Sequence, residues 1–124
     1  MNPCVLARAR GAAGQLLHGE PHPGNLLSTK TGLLFTDLET CCRGPIEFDL
    51  AHVPEDVSER HADVGEGLLS ECRVLVLAMV AAWRWDPGDQ FPNGQGAARE
   101  FLSTLREGPP WPALDVVMRR PDGP

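Results

Sequence analysis

A chain of 124 residues can form one domain that buries roughly two thirds of its unfolded surface, but 12 Pro and 13 Gly leave few stretches for packed helices. Its core should therefore be thin. Seventeen acidic against eleven basic side chains give a formal charge of -6, the wrong sign for a surface that tracks nucleic-acid phosphates or anionic lipid.

In chain order, Val5 to Leu17 is rich in Ala, Leu and Arg and predicts a short helix, weakened by Gly11 and Gly14. Pro21, Pro23 and Gly24 then forbid regular structure, so His18 to Asn25 must be a loop with a fixed course. Leu26-Leu27-Ser28, a polar turn over Thr29 to Gly32, and Leu33 to Asp37 predict a β-hairpin whose second strand ends on an acid. Leu38 to Pro45 reads as irregular, and Glu47 to His52 as a helix start with Asp49 able to cap it or face inward.

The acidic run Glu55 to Glu66 reads as a solvated face. Gly67 to Trp85 predicts the strongest helix, because Leu68, Leu69, Cys72, Leu75, Val76, Met79, Val80 and Trp83 recur at three- and four-residue spacing. On that spacing Trp83 belongs in the core. Gln95 to Glu107 predicts a weaker amphipathic helix. Pro109-Pro110-Trp111-Pro112 ends regular structure, which divides the chain into a folded unit over residues 1–108 and a Pro-rich mobile tail over 109–124.

Cys4, Cys41, Cys42 and Cys72 contain no C-x-x-C pair, and adjacent cysteines do not easily bridge each other. Neither zinc nor a disulfide framework is expected. The longest apolar run, Val74 to Trp83, is far short of the roughly 20 residues of a membrane span, and no charged segment followed by an apolar one opens the chain. The expectation is a reduced, cytoplasmic protein.

Transfer of a phosphoryl group from a nucleotide demands a carboxylate that orients or deprotonates the acceptor hydroxyl, and oxygen ligands that hold magnesium against the phosphates. A loop that presents a carboxylate and, five residues on, an amide, followed by a hairpin that returns a second carboxylate, can meet both demands. Glu20, Asn25 and Asp37 have that arrangement. His18-Gly19-Glu20, four residues and Asn25 fit the kinase spacing His-x-Asp-x-x-x-x-Asn, with Glu in place of Asp.

His-Gly-Glu-Pro-His-Pro-Gly-Asn, then Phe-Thr-Asp-Leu-Glu, then Gly-Pro-Ile-Glu-Phe-Asp-Leu-Ala resembles the aminoglycoside phosphotransferase family, itself similar to choline kinases and distantly to protein kinases. The three motifs stand in order between residues 18 and 51. The resemblance implies an α+β, mainly α-helical fold, a kinase-like C-terminal lobe whose short β-hairpin carries the metal-binding Asp. It implies transfer of the terminal phosphate of ATP, with Mg2+, to a hydroxyl of a small molecule, for which an acidic surface is compatible with a cationic substrate. Glu20 takes the catalytic-base position, Asn25 and Asp37 the ATP-magnesium positions, and His18 braces the catalytic loop. Glu39 matches a supporting acid behind the metal ligands, and Asp49 is expected to cap a helix and tie its start to the loop.

Two departures stand out. The extra methylene of Glu20 moves its carboxylate by about an ångström, a displacement that can cost roughly a hundredfold in rate if uncompensated. Only seventeen residues precede His18, with no Gly-x-Gly-x-x-Gly loop and no Lys, so the N-terminal lobe is expected to be absent and turnover to require another polypeptide. The alternative is a non-catalytic, truncated or degenerate kinase-like lobe acting as an interaction module.

Other residues have plainer readings. His22, between two prolines, reads as a hydrogen-bonding loop residue rather than a metal ligand, and His52 and His61 as surface residues. His18-Gly19-Glu20 also matches half of the zinc deaminase signature, but Pro-Cys-x-x-Cys is missing. Pro21 rules out the continuous helix that a zincin needs.

Overall fold

The structure, a computed structural model, describes residues 14–118. About half of them are helical, and the rest include two small antiparallel sheets. β1 (Gln15–Leu17) pairs with β4 (Cys42–Gly44), and β2 (Leu26–Thr29) pairs with β3 (Gly32–Phe35). Five helices follow: α1 (Ile46–Leu50), α2 (Glu55–Glu59), α3 (Glu66–Trp85), α4 (Gly94–Glu107) and α5 (Leu114–Met118). None is long and apolar enough to cross a membrane.

The hairpin forms around the polar turn expected over Thr29 to Gly32. Its turn is closed by Thr29, whose hydroxyl donates to the Gly32 carbonyl at 2.6 Å and accepts the Thr31 amide at 3.3 Å. The register sets Leu26 opposite Phe35 and Leu27 opposite Leu34. Strand β3 stops at Phe35, two residues before Asp37, whose backbone is left-handed at φ 59°.

α3 and α4 are the longest elements and pack on each other. Glu66 in the first turn of α3 and Arg84 in its last complement the helix dipole. Its buried residues are Leu69, Cys72, Val76, Leu77 and Ala81. They share one core with Leu17, Phe48, Phe101, Leu114 and Val117. Glu47, buried in α1, accepts the Gly65 amide at 2.8 Å and so joins α1 to the start of α3.

Several expectations are corrected. Gln15 to Leu17 is a strand, not the end of a helix; pairing with β4 places Leu17 in the core, and that packing outweighs local propensity. The rest of the expected N-terminal helix, 5–13, lies outside the described residues. The stretch read as irregular after Leu38 holds a 3-10 turn (Leu38–Thr40) and β4, so strand content exceeds the single hairpin expected. Trp83 is 41% exposed rather than core, because the covered side of the last turns of α3 carries Leu77 and Ala81.

The tail expected from Pro109 is folded as far as Met118: Ala113, Leu114 and Val117 are buried and Trp111 packs against the core. Short apolar spacing after the prolines suffices for one helical turn once the α3–α4 surface is there to receive it. Residues 119–124 lie outside the described residues. The reading of four unbridged cysteines is also corrected, since Cys42 is disulfide-bonded while Cys41 and Cys72 are free.

Candidate active site

The loop from His18 to Asn25 connects β1 to β2, and its course is fixed by bonds to three other segments. Asp49, on α1, accepts the His18 amide at 2.9 Å with Oδ2 and the Gly19 amide at 3.0 Å with Oδ1. Thr40 donates its hydroxyl to the His18 carbonyl at 2.9 Å. The His18 ring lies 5.5 Å from Phe35 and bonds the Thr36 carbonyl through Nε2 at 2.7 Å.

The His18 tautomer follows from its partners. The Glu20 amide donates to Nδ1 at 3.1 Å, so Nε2 carries the proton and donates to Thr36. His18 thereby ties the Glu20 backbone to the end of β3. Gly19 has φ 95°, and a Cβ there would run into the Thr40 carbonyl oxygen. Only glycine permits this close approach.

Asn25 is buried. Its Nδ2 donates to the Glu20 carbonyl at 3.0 Å, which identifies the amide nitrogen and leaves Oδ1 as a free oxygen donor. Its backbone carbonyl accepts the Thr36 amide at 2.8 Å. Thus Asn25 stands beside the residue that precedes Asp37. His22 forms a local clasp, accepting the Gly24 amide at Nδ1 (3.1 Å) and, through its carbonyl, the Asn25 amide (2.9 Å).

Asp37 and Glu39 are exposed at the mouth of the hairpin, Glu39 within the 3-10 turn. Among the described residues no three His, Cys, Asp or Glu side chains cluster in a way that could hold a metal. Asn25 and Asp37 instead offer an amide oxygen and a carboxylate. Such an all-oxygen set fits a hard cation that keeps waters and phosphate oxygens as its other ligands.

Asp49 is the fourth residue of α1, whose N-cap is Pro45, so it caps no helix end. Its carboxylate spans to the loop instead. Burial pushes its pKa up from the ordinary carboxylate value, and the bonds from Gly19 and His18 pull it down.

Beside the loop lies a cavity of about 570 Å3 whose walls include Glu20, His22, His52, Trp83, Arg84, Phe91 and Met118. Arg84 is fixed there by Asp89, 3.2 Å from its Nε, and by the Phe91 ring, 4.5 Å away. His52 corrects the surface reading: it is 3% exposed, with Nδ1 bonded to the Phe48 carbonyl at 2.9 Å. Its four-residue spacing from Phe48 was the available signal, since the two share a helix face and their rings stand edge to face at 5.1 Å. His61, by contrast, is exposed.

A family model described as "Phosphotransferase enzyme family" matches residues 4–111. No curated protein and no solved structure matches the chain.

Proposed function

Because the chain belongs to the phosphotransferase enzyme family, we propose that the His18 to Asp37 segment is a catalytic surface for moving the terminal phosphate of ATP to a hydroxyl of a small molecule. The observation that supports this most is the linkage of the three chemical residues. Asn25 bonds the backbone of Glu20 through its side chain and that of Thr36 through its carbonyl. Asn25 therefore links the backbone of Glu20 to the residue before Asp37.

In this reading Glu20 faces the cavity, orients the acceptor hydroxyl and takes its proton as the oxygen bonds to phosphorus and the bond to ADP breaks. Asn25 Oδ1 and Asp37 hold magnesium, which when bound neutralises charge on the phosphates. His18 and Asp49 are positioning residues: they shape the loop without touching substrate. The exposed apolar hairpin, with Leu33, Leu34 and Phe35, would seat a further lobe that covers the nucleotide.

The same exposed hairpin favours a second reading, a non-catalytic interaction module. Release of ADP from magnesium-ATP in the presence of a panel of small alcohols separates the two. Catalysis predicts slow but alcohol-dependent ADP release that is lost in Glu20→Gln; an interaction module predicts no release above background.

A further inference from the structure

The cavity beside Glu20 carries a feature that phosphate transfer does not account for. His52 Nδ1 bonds a carbonyl oxygen, which can only accept, so Nδ1 holds the ring proton and Nε2 presents a lone pair. Nε2 is buried without a hydrogen-bond partner, although the ring is part of the cavity wall. Burial lowers the pKa of His52 to about 4, so the imidazole is neutral and Nε2 remains an acceptor at neutral pH. A buried acceptor left unsatisfied is costly, and a ligand that supplies a donor recovers that cost.

The other walls describe the rest of that ligand. Val80, Trp83, Phe91, Leu114 and Met118 give the cavity a largely apolar lining. A volume of about 570 Å3 lies within the ordinary range for a small organic molecule. A polycation would meet the carboxylates of Glu20 and Asp115, but most of its charge would lie against hydrocarbon.

We propose that this cavity binds a compact alcohol with an apolar or aromatic body, and that His52 positions it by accepting a hydrogen bond at Nε2 from a donor group of that molecule. That this alcohol is the phosphate acceptor rests on the phosphotransfer reading above; its binding in the cavity does not.

The test is binding of 2-phenylethanol and of its methyl ether, followed by 15N NMR of the histidine rings and by titration. The alcohol should bind wild-type protein about tenfold more tightly than the ether, which lacks the donor, and should shift the His52 Nε2 resonance. His52→Leu should bind both equally, while Trp83→Ala should weaken both to the same degree and keep the alcohol's advantage. Should His52→Leu fail to fold, the wild-type resonance and the Trp83→Ala ratio decide.

Equal binding of alcohol and ether to wild type, an advantage that survives in His52→Leu, or no binding of either compound overturns the proposal. ADP release is measured in parallel with 1-phenylethane-1,2-diol, which keeps a second hydroxyl for Glu20 while the first donates to His52. A His52-dependent preference without phosphate transfer leaves this inference standing and removes the phosphotransfer reading. Phosphate transfer without such a preference does the reverse.

Discussion

The Asp49 carboxylate accepts the backbone amide of His18 at 2.9 Å across 31 residues of sequence, and it takes the neighbouring Gly19 amide with its other oxygen at 3.0 Å. The start of the His18 to Asn25 loop is thus anchored to α1. A hydrogen bond contributes about 0.5–1.5 kcal/mol, and a buried donor left without its partner costs about 1–3 kcal/mol. Asp49→Ala should lower stability by about 2–4 kcal/mol, and Asp49→Asn, which keeps one acceptor oxygen, by about half as much. Urea denaturation of both variants measures this, and equal stability of Asp49→Ala and wild type would refute the anchoring role.

Gly19 and Gly32 both have positive φ, 95° and 129°, but only Gly19 lies against another segment. Gly32→Ala should cost about 1 kcal/mol from backbone strain alone. Gly19→Ala adds a collision with the Thr40 carbonyl and should cost at least about 3 kcal/mol, or push the loop away from Thr40. Thermal unfolding of the two variants should rank them in that order.

His52 gives stability a dependence on pH. Its pKa falls from 6.5 to about 4 in the folded protein, so between those values the unfolded chain binds the extra proton. Its contribution is complete above pH 6.5 and is lost as the pH falls towards 4, reaching about 2 kcal/mol of loss at pH 5. Asp49, with its pKa raised, works in the opposite sense: its contribution is complete below 3.8 and is lost as pH rises through its folded value. Urea titrations at pH 7 and pH 5 should show a loss about 2 kcal/mol smaller in His52→Leu than in wild type.

The two free cysteines should differ sharply towards a thiol reagent. Cys41 is exposed. Cys72 is buried in α3, and burial together with the nearby Glu47 and Glu71 carboxylates pushes its thiol up to about 12. Alkylation followed by mass spectrometry should label Cys41 in the native protein and Cys72 only after unfolding. Labelling of both at similar rates would contradict the packing of α3 against α1.

Much of this was legible in the sequence because it rests on local rules. The three- and four-residue spacing of Leu69, Cys72 and Val76 located α3, and the polar turn Thr29 to Gly32 between two short apolar runs located the hairpin. Pro21, Pro23 and Gly24 marked the loop, and its His18, Glu20 and Asn25 spacing marked the family. What stayed hidden depends on distant partners. Residues 15–17 form a strand only because Cys42 to Gly44 lies beside them, and Leu114 folds back only because α3 and α4 offer a surface. Trp83 and His52 exchanged places, one outward and one inward, because a helix period places residues on a face without saying which faces are covered.

In the proposed function Asn25 and Asp37 hold magnesium for phosphate transfer from ATP. Calorimetric titration of wild type and Asp37→Ala with ATP, with and without magnesium, tests it most directly. The account predicts binding to wild type that requires magnesium and weakens at least about tenfold in Asp37→Ala. Binding that is indifferent to magnesium, or equally tight in Asp37→Ala, would contradict it.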